Sequence, residues 1–415
     1  MKQADPHAEM LRAIIRRRMS RRDVLRYAGR GAGAIGAAAV LAACGVEGEG
    51  RPRSSAPLRP SPLPSKAGEL NVANWPLYID LDAGESATLD TFREQTGISI
   101  TYKEDINDND EFFGTDLRQQ LSAGQSTGWD VVVLTDWMVA KLIRLGWVEP
   151  LHHDRLPNFA ANTDDKFTDP WYDPGNAHSA PWAAGITGIG YNPKLTGREI
   201  KSLEDLFDPA FAGHVGMFSE MRDTIGFGLL RMGVEPSGAT VDEVEQVAQM
   251  LTEQRDAGIV RGYYGNDYTD QLAGGNVWLT MAWSGDVFAL AQDDPDLRFV
   301  IPQEGGMRWV DNMVIPLKAE HPTDAHEWIN FVYQPEIAAA ITEWVWYESP
   351  VDDEVIREII RQDAKEFDDP ALVALADDTT VWPDDTTLSN THVYKNLDAE
   401  EEEAWHDLFD PVIQG

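Results

Sequence analysis

Residues 305–316 read GGMRWVDNMVIP, and the fold turns on how this stretch is placed. Two glycines permit a sharp turn. Trp309 and Asp311 follow, two apart, and then the apolar run Met313-Val314-Ile315. In an extended segment residues i and i+2 share one face. The indole and the carboxylate therefore point one way and Val310 the other. A carboxylate beside a tryptophan at the mouth of a buried strand is costly unless a partner meets it. In an ordinary strand a backbone N–H would serve. An organic cation would serve equally well.

Upstream of this stretch, strand and helix alternate. Residues 69–74 read as a first strand, followed by Trp75 and Tyr78. Residues 85–95 carry Leu89 and Phe92 at helical spacing, with Gly97 as the stop. Residues 98–102 alternate as a second strand, and Phe113, Leu117 and Leu121 fall on one helix face. Residues 129–134 form a buried strand of the parallel-sheet kind, with a helix over 136–145 directly after it. This rhythm implies a three-layer α/β domain, whose binding residues gather at the carboxyl ends of strands. Trp75 and Tyr78 lie at one such end, and Thr135, Asp136 and Trp137 at another.

Residues 180–192 read as a strand leaving this domain. A second α/β unit follows, with strands at 215–219 and 276–283, the latter ending in Trp283-Ser284-Gly285-Asp286. Glu220 and Asp223 open a helix there, either as ligand acids or as partners of its dipole. Thr240 and Glu243 form a capping box for a long helix to Arg255. Tyr263-Tyr264 reads as a loop. Residues 305–316 then return the chain to the first domain, helices cover 323–333 and 336–346, and Tyr347 lies just beyond. Two lobes are expected, 68–184 with 311–350 and 185–310 with 351–415. A chain of 415 residues is long enough for both.

The net charge of -36 makes nucleic acid an improbable partner. At the N-terminus, Arg16-Arg17-Arg18 and Ser20-Arg21-Arg22-Asp23-Val24-Leu25 resemble a twin-arginine export signal. A Gly/Ala-rich stretch then ends in Leu41-Ala42-Ala43-Cys44, which resembles a lipoprotein processing site. Residues 1–43 are thus expected to be signal, Cys44 the lipidated residue, and 44–67, rich in Pro, Ser and Gly, a tether. The match to GxGxxG at Gly31–Gly36 has no strand before it and is part of the signal. Cys44 is the only cysteine, so an intramolecular disulfide and a CxxC metal site are excluded.

Seven blocks resemble one family in order: NVANWPLYID, TFREQTGISI, WDVVVLTDWMVAKL, PWAAGITGIGYN, MAWSGDVFAL, QEGGMRWVDNMVIP and TEWVWYESP. The chain is similar to the extracellular solute-binding proteins of bacterial ABC importers, in the spermidine/putrescine-binding branch. The resemblance implies two α/β lobes closing on a ligand, a type II-like binding-protein fold. It implies ligand contacts at Trp75, Tyr78, Thr135, Trp137, Glu220, Asp223, Trp283, Trp309, Asp311 and Tyr347. It also implies a polyamine ligand, ABC permease subunits as partners, no cofactor, and a lipid-anchored monomer outside the cytoplasmic membrane. Pro76 and Thr135-Asp136 depart from the family pattern, and where the family has a late glutamine this chain offers only Lys395. A lysine in a cation-binding cleft would oppose the ligand, so Lys395 is expected to point away.

Two other readings compete. The same fold could carry a sugar, an amino acid derivative or ferric ion, although three cleft acids suit a sugar poorly. Glu220 and Asp223 could instead be the acid and base of an exported hydrolase. The sequence has no G-x-S-x-G elbow and no HExxH, and His152-His153 are adjacent in a proline-bounded loop rather than i, i+4. No enzyme and no metal site are expected.

Overall fold

The computed structural model describes residues 62–81 and 84–415. Cys44 and the export signal lie outside the described residues. The chain opens with β1 (Glu69–Ala73), α1 (Ala87–Thr96) and β2 (Ser99–Lys103). Helix α1 starts where Ser86 accepts from Leu89 N, and stops at Gly97 in the left-handed conformation. Next come α2 (Asn109–Phe112), a π-turn over Phe113–Leu117, and α3 (Arg118–Ser122). Strand β3 (Val131–Thr135) is buried at every position and runs straight into α4 (Asp136–Leu145).

Strand β4 (Ser179–Tyr191) leads to β5 (Val215–Phe218), α5 (Met221–Arg231) and α6 (Val241–Asp256). The Thr240–Glu243 capping box opens α6. The chain continues through β6 (Val260–Tyr264), α7 (Tyr268–Ala273), β7 (Leu279–Trp283), α8 (Ser284–Ala291) and β8 (Arg298–Val300). Strand β9 (Gly306–Val314) is followed by α9 (Pro322–Val332), α10 (Pro335–Val345), α11 (Asp353–Phe367) and α12 (Pro370–Asp377). The short strand β10 (Thr391–His392) and α13 (Ala399–Gln414) complete the chain.

The strands form one mixed sheet in the order β2-β1-β3-β9-β4-β7-β5-β6, with β8 on β4 and β10 on β9. Each end is a parallel blade, β2-β1-β3 and β7-β5-β6. The antiparallel pair β4/β9 joins them. Strand β9 pairs with β3 over Asp311–Val314, while the later half of β4 pairs with β7 over Thr187–Tyr191. Two strands thus carry the sheet from one lobe to the other, the geometry of a two-lobed α/β fold. The β4/β9 register slips between Pro181 and Ala183, where a proline cannot donate to the ladder.

Two sequence expectations change. Tyr263 and Tyr264 are not in a loop but on β6, an edge strand whose half-buried faces hide the alternation. Within residues 351–415, helix α11 buries Ile356, Ile360 and Ala364 and packs on α10. Ordered structure also begins before Gly68. Asp324 of α9 accepts from Ala67 N (2.8 Å), and Thr323 donates to the Pro64 carbonyl (2.7 Å), so residues 64–67 lie along the start of that helix.

Candidate functional site

The strand ends meet between the lobes in a cleft with about 380 Å³ of empty space, part of it open to solvent. Its first-lobe wall begins with the loop after β1. Asp80 sits at the N-terminus of α1, accepting from Ala87 N and Ser86 Oγ (both 2.8 Å), which fixes the loop from that side. Leu77 has φ +59°, a left-handed conformation costly for a side chain, and its N–H is held by Glu104 (2.7 Å). Trp346 does the same at the end of α10, with φ +62°. Each strained residue directly precedes a cavity tyrosine, Tyr78 in one case and Tyr347 in the other. The turns are what aim those two rings into the cavity.

The aromatic rings form a continuous series. Trp75 meets Trp283 edge-on at 5.6 Å, Trp283 meets Trp309 at 6.5 Å, and Trp309 meets Tyr347 at 5.5 Å. Tyr347 meets Tyr78 at 5.1 Å. Two indole nitrogens are anchored, Trp75 to the Val133 carbonyl and Trp309 to Thr187 Oγ1 (both 3.1 Å).

Four carboxyls face this series, and the lining includes no lysine or arginine among the described residues. Asp311 accepts from Thr135 Oγ1 and from Tyr78 OH, each at 2.8 Å. Asp286 accepts from Tyr347 OH (2.8 Å) and Tyr268 OH (3.0 Å). Asp223 accepts from Tyr394 OH (2.7 Å). Glu220 occupies the cap position of α5 but makes no cap bond. Its carboxyl reaches the other lobe and accepts from Asn109 N (2.7 Å) and Asn109 Nδ2 (2.9 Å). Asn109 in turn donates to Thr135 Oγ1 (2.9 Å), which donates to Asp311. One hydrogen-bonded chain therefore runs from an acid of the second lobe to an acid of the first.

Burial sets the charge state of these acids. It pushes Asp311 up to about 7, against the hydrogen bonds from Thr135 and Tyr78. It raises Asp223 and Asp286 to about 6. Burial and the nearby Asp108 raise Glu220 well above the usual range. Near pH 6 to 7 a share of these groups therefore holds protons, which a cation placed beside them would displace.

Such a cleft, lined from both lobes by acids and aromatic rings, is built to enclose a solute. Residues 87–371 match the family of bacterial extracellular solute-binding proteins. The chain belongs to that family. It is 28% identical over 312 residues to spermidine/putrescine-binding periplasmic protein 1 of Haemophilus influenzae, covering 74% of this chain and 83% of that one. It is 27% identical over 353 residues to the putrescine-binding periplasmic protein SpuD of Pseudomonas aeruginosa, covering 81% and 89%. In fold it resembles the crystal structure of the spermidine/putrescine ABC transporter substrate-binding protein PotD of Streptococcus pneumoniae. That likeness has TM-score 0.64 and 24% identity, over 83% of this chain and 98% of that one.

In this solute-binding protein, nine of the ten ligand contacts expected from the sequence line the cavity. Trp137 does not. Its ring packs under the Arg222 guanidinium, 4.8 Å away, because α4 turns that face toward α5. Asn109, Asn266, Asp286 and Tyr394 line the cavity without having been anticipated. For Asp286 a signal existed, since it stands three residues after Trp283 at the carboxyl end of β7. Tyr394 had none, being far along an acidic tail. Its neighbour Lys395 turns away, its ammonium on the Ala239 carbonyl and Glu401 (both 2.7 Å).

Proposed function

We propose that this solute-binding protein captures a polyamine between its lobes and delivers it to the permease of an ABC importer. The observation that carries the reading is the lining itself, four buried carboxyls and a series of aromatic faces with no cationic side chain among the described residues. A polyamine is a set of ammonium ions on methylene spacers. Carboxylates on opposite walls meet the ends, and the rings sandwich the spacers. Each buried methylene contributes about 0.8 kcal/mol. Each aromatic face over an ammonium adds roughly 0.5–2 kcal/mol. The names of the relatives support the same cargo.

Export goes with the family. Anchoring through a lipid on Cys44, a monomeric state and the two-lobe division are part of the proposal. Calorimetric titration with putrescine, spermidine and spermine, with maltose and glutamate as controls, tests the cargo. Micromolar or tighter binding of an amine, and none of the controls, is expected. A folded protein that takes a control and no amine would overturn the reading.

The raised acids add a pH prediction. In an unfolded chain aspartates titrate near 4, whereas Asp311, Asp223 and Asp286 hold protons up to about 6–7 in the empty cleft. The folded, empty protein therefore binds more protons over this window, and the contribution of these groups to stability falls as pH rises through it. A bound ammonium reverses the preference. Polyamine binding at pH 6 is expected to release protons, and affinity to weaken as pH drops from 7.5 to 5. Calorimetry in buffers of different ionisation heat measures the release directly. Affinity that strengthens on acidification would contradict it.

A further inference from the structure

Trp137, Lys141 and Arg144 occupy one face of α4, at i, i+4 and i+7. That face looks across the interlobe boundary at Arg222 of α5 and at α13. Arg222 is buried, lies over the Trp137 ring, and donates to the Lys395 carbonyl (2.8 Å). It stands between Glu220 and Asp223, both on the cavity wall. A buried guanidinium at that place would repel a cationic guest unless something neutralises it.

Glu402 of α13 contributes most to this, with Asp110 and Asp136 adding to it. It is 6% exposed, and its carboxylate meets cations from both lobes. Lys141 Nζ lies 3.0 Å from one oxygen and Arg144 Nη2 lies 2.8 Å from the other. Arg222 Nη2 lies 3.7 Å away. Arg144 also donates to the Leu397 carbonyl (2.9 Å), just before α13. Burial alone would raise the carboxyl, yet Lys141 and Arg222 bring it below the usual glutamate range. Asp110, Glu402 and His406 come close enough to suggest a metal seat. The Lys141 ammonium sits between Asp110 (3.6 Å) and Glu402, so the cluster is an ion-pair contact instead.

The chain leading to Glu402 is part of the cleft. From β10, paired with β9, residues 391–398 run past the cavity and place Tyr394 on Asp223. Helix α13 then packs on α6 of the second lobe. We propose that Glu402 is a positioning residue for the closed cleft. It ties the C-terminal strap to α4 of the first lobe and helps to offset the Arg222 charge behind the ligand acids. A contact made of ions suits a boundary that must open, because both faces regain water when parted, whereas an apolar face would resist.

The proposal rests on the polyamine reading for its binding effect and is tested independently of it by shape. In Glu402→Gln, polyamine dissociation should quicken by about tenfold, within the roughly 5–150-fold span of coupled sites, with little change in association rate. The ligand-free variant should show a larger radius of gyration by X-ray scattering than the wild type. Lys141→Met approaches the same contact from the other lobe, and Lys141→Met/Glu402→Gln should be no worse than the stronger single change. A folded Glu402→Gln variant with unchanged scattering and unchanged dissociation would overturn the proposal, as would strictly additive effects of the pair. If Glu402→Gln does not fold, unchanged scattering and dissociation in Lys141→Met alone would overturn it. Wild type that binds no polyamine defeats the cargo reading, and the scattering comparison still decides the strap.

Discussion

Asp311→Asn is expected to raise the dissociation constant for a polyamine by roughly 30- to 4000-fold. Asparagine keeps the shape and can still accept from one of Thr135 or Tyr78, but it has no charge to offer an ammonium. Removing one partner of a buried, hydrogen-bonded charge pair costs about 2–5 kcal/mol, and each 1.4 kcal/mol is about tenfold in affinity. The same change should not weaken the empty protein at pH 8. The fold already disfavours the ionised Asp311, whose titration is pushed up to about 7, and asparagine removes that cost. Binding and stability should therefore part company. Melting curves and fluorescence titrations on one sample check both. A variant that binds normally, or that loses binding only because it has unfolded, would contradict the assignment.

The second large effect concerns a residue that does not line the cavity. A methyl group on Gly185 would stand 2.6 Å from the Trp309 ring and 3.0 Å from Tyr347. Trp309 has little freedom to retreat, since its nitrogen is held by Thr187 and Trp283 and Tyr347 flank it. Forcing a methyl into such packing costs about 1–3 kcal/mol. Much of that strain should appear as displaced rings in the cleft. Gly185→Ala is expected to weaken polyamine binding roughly 10- to 100-fold by the same conversion. Gly114→Ala, with no atom within 4 Å of the added carbon, is the matched control and should bind normally. Shrinking the ring in Gly185→Ala/Trp309→Phe should recover part of the loss. Equal binding by the Gly185 and Gly114 variants would show that the rings do not depend on the bare strand.

Much of this was legible in the sequence, for identifiable reasons. The strands that build the cavity carry strong local signals. Strand β3 is uniformly apolar, and the Trp309/Asp311 pair shares a face by the two-residue period alone. Trp75 and Tyr78 could be placed because they follow a strand end, where sheets of this kind bind. What stayed hidden depends on long-range placement. Tyr394 reaches Asp223 across 171 residues of chain, and nothing local marks it. Asn109 looks like any residue opening a short helix, yet it links Glu220 to Thr135 across the lobes. Trp137 misled in the opposite direction. Its position after β3 fits a binding residue, but helix rotation turns its ring to Arg222. The period of α4 does set Trp137, Lys141 and Arg144 on one face. It does not say that an acid from the last helix will meet two of them.

A crystal structure of the protein grown with spermidine or putrescine would show whether the cleft holds an amine. An amine enclosed by Trp75, Trp283, Trp309 and Tyr347 is expected. One ammonium should lie within hydrogen-bonding distance of Asp311 and another on Asp286, Asp223 or Glu220 of the opposite wall. Amine density elsewhere, with the cleft empty or filled by a neutral solute, would contradict it.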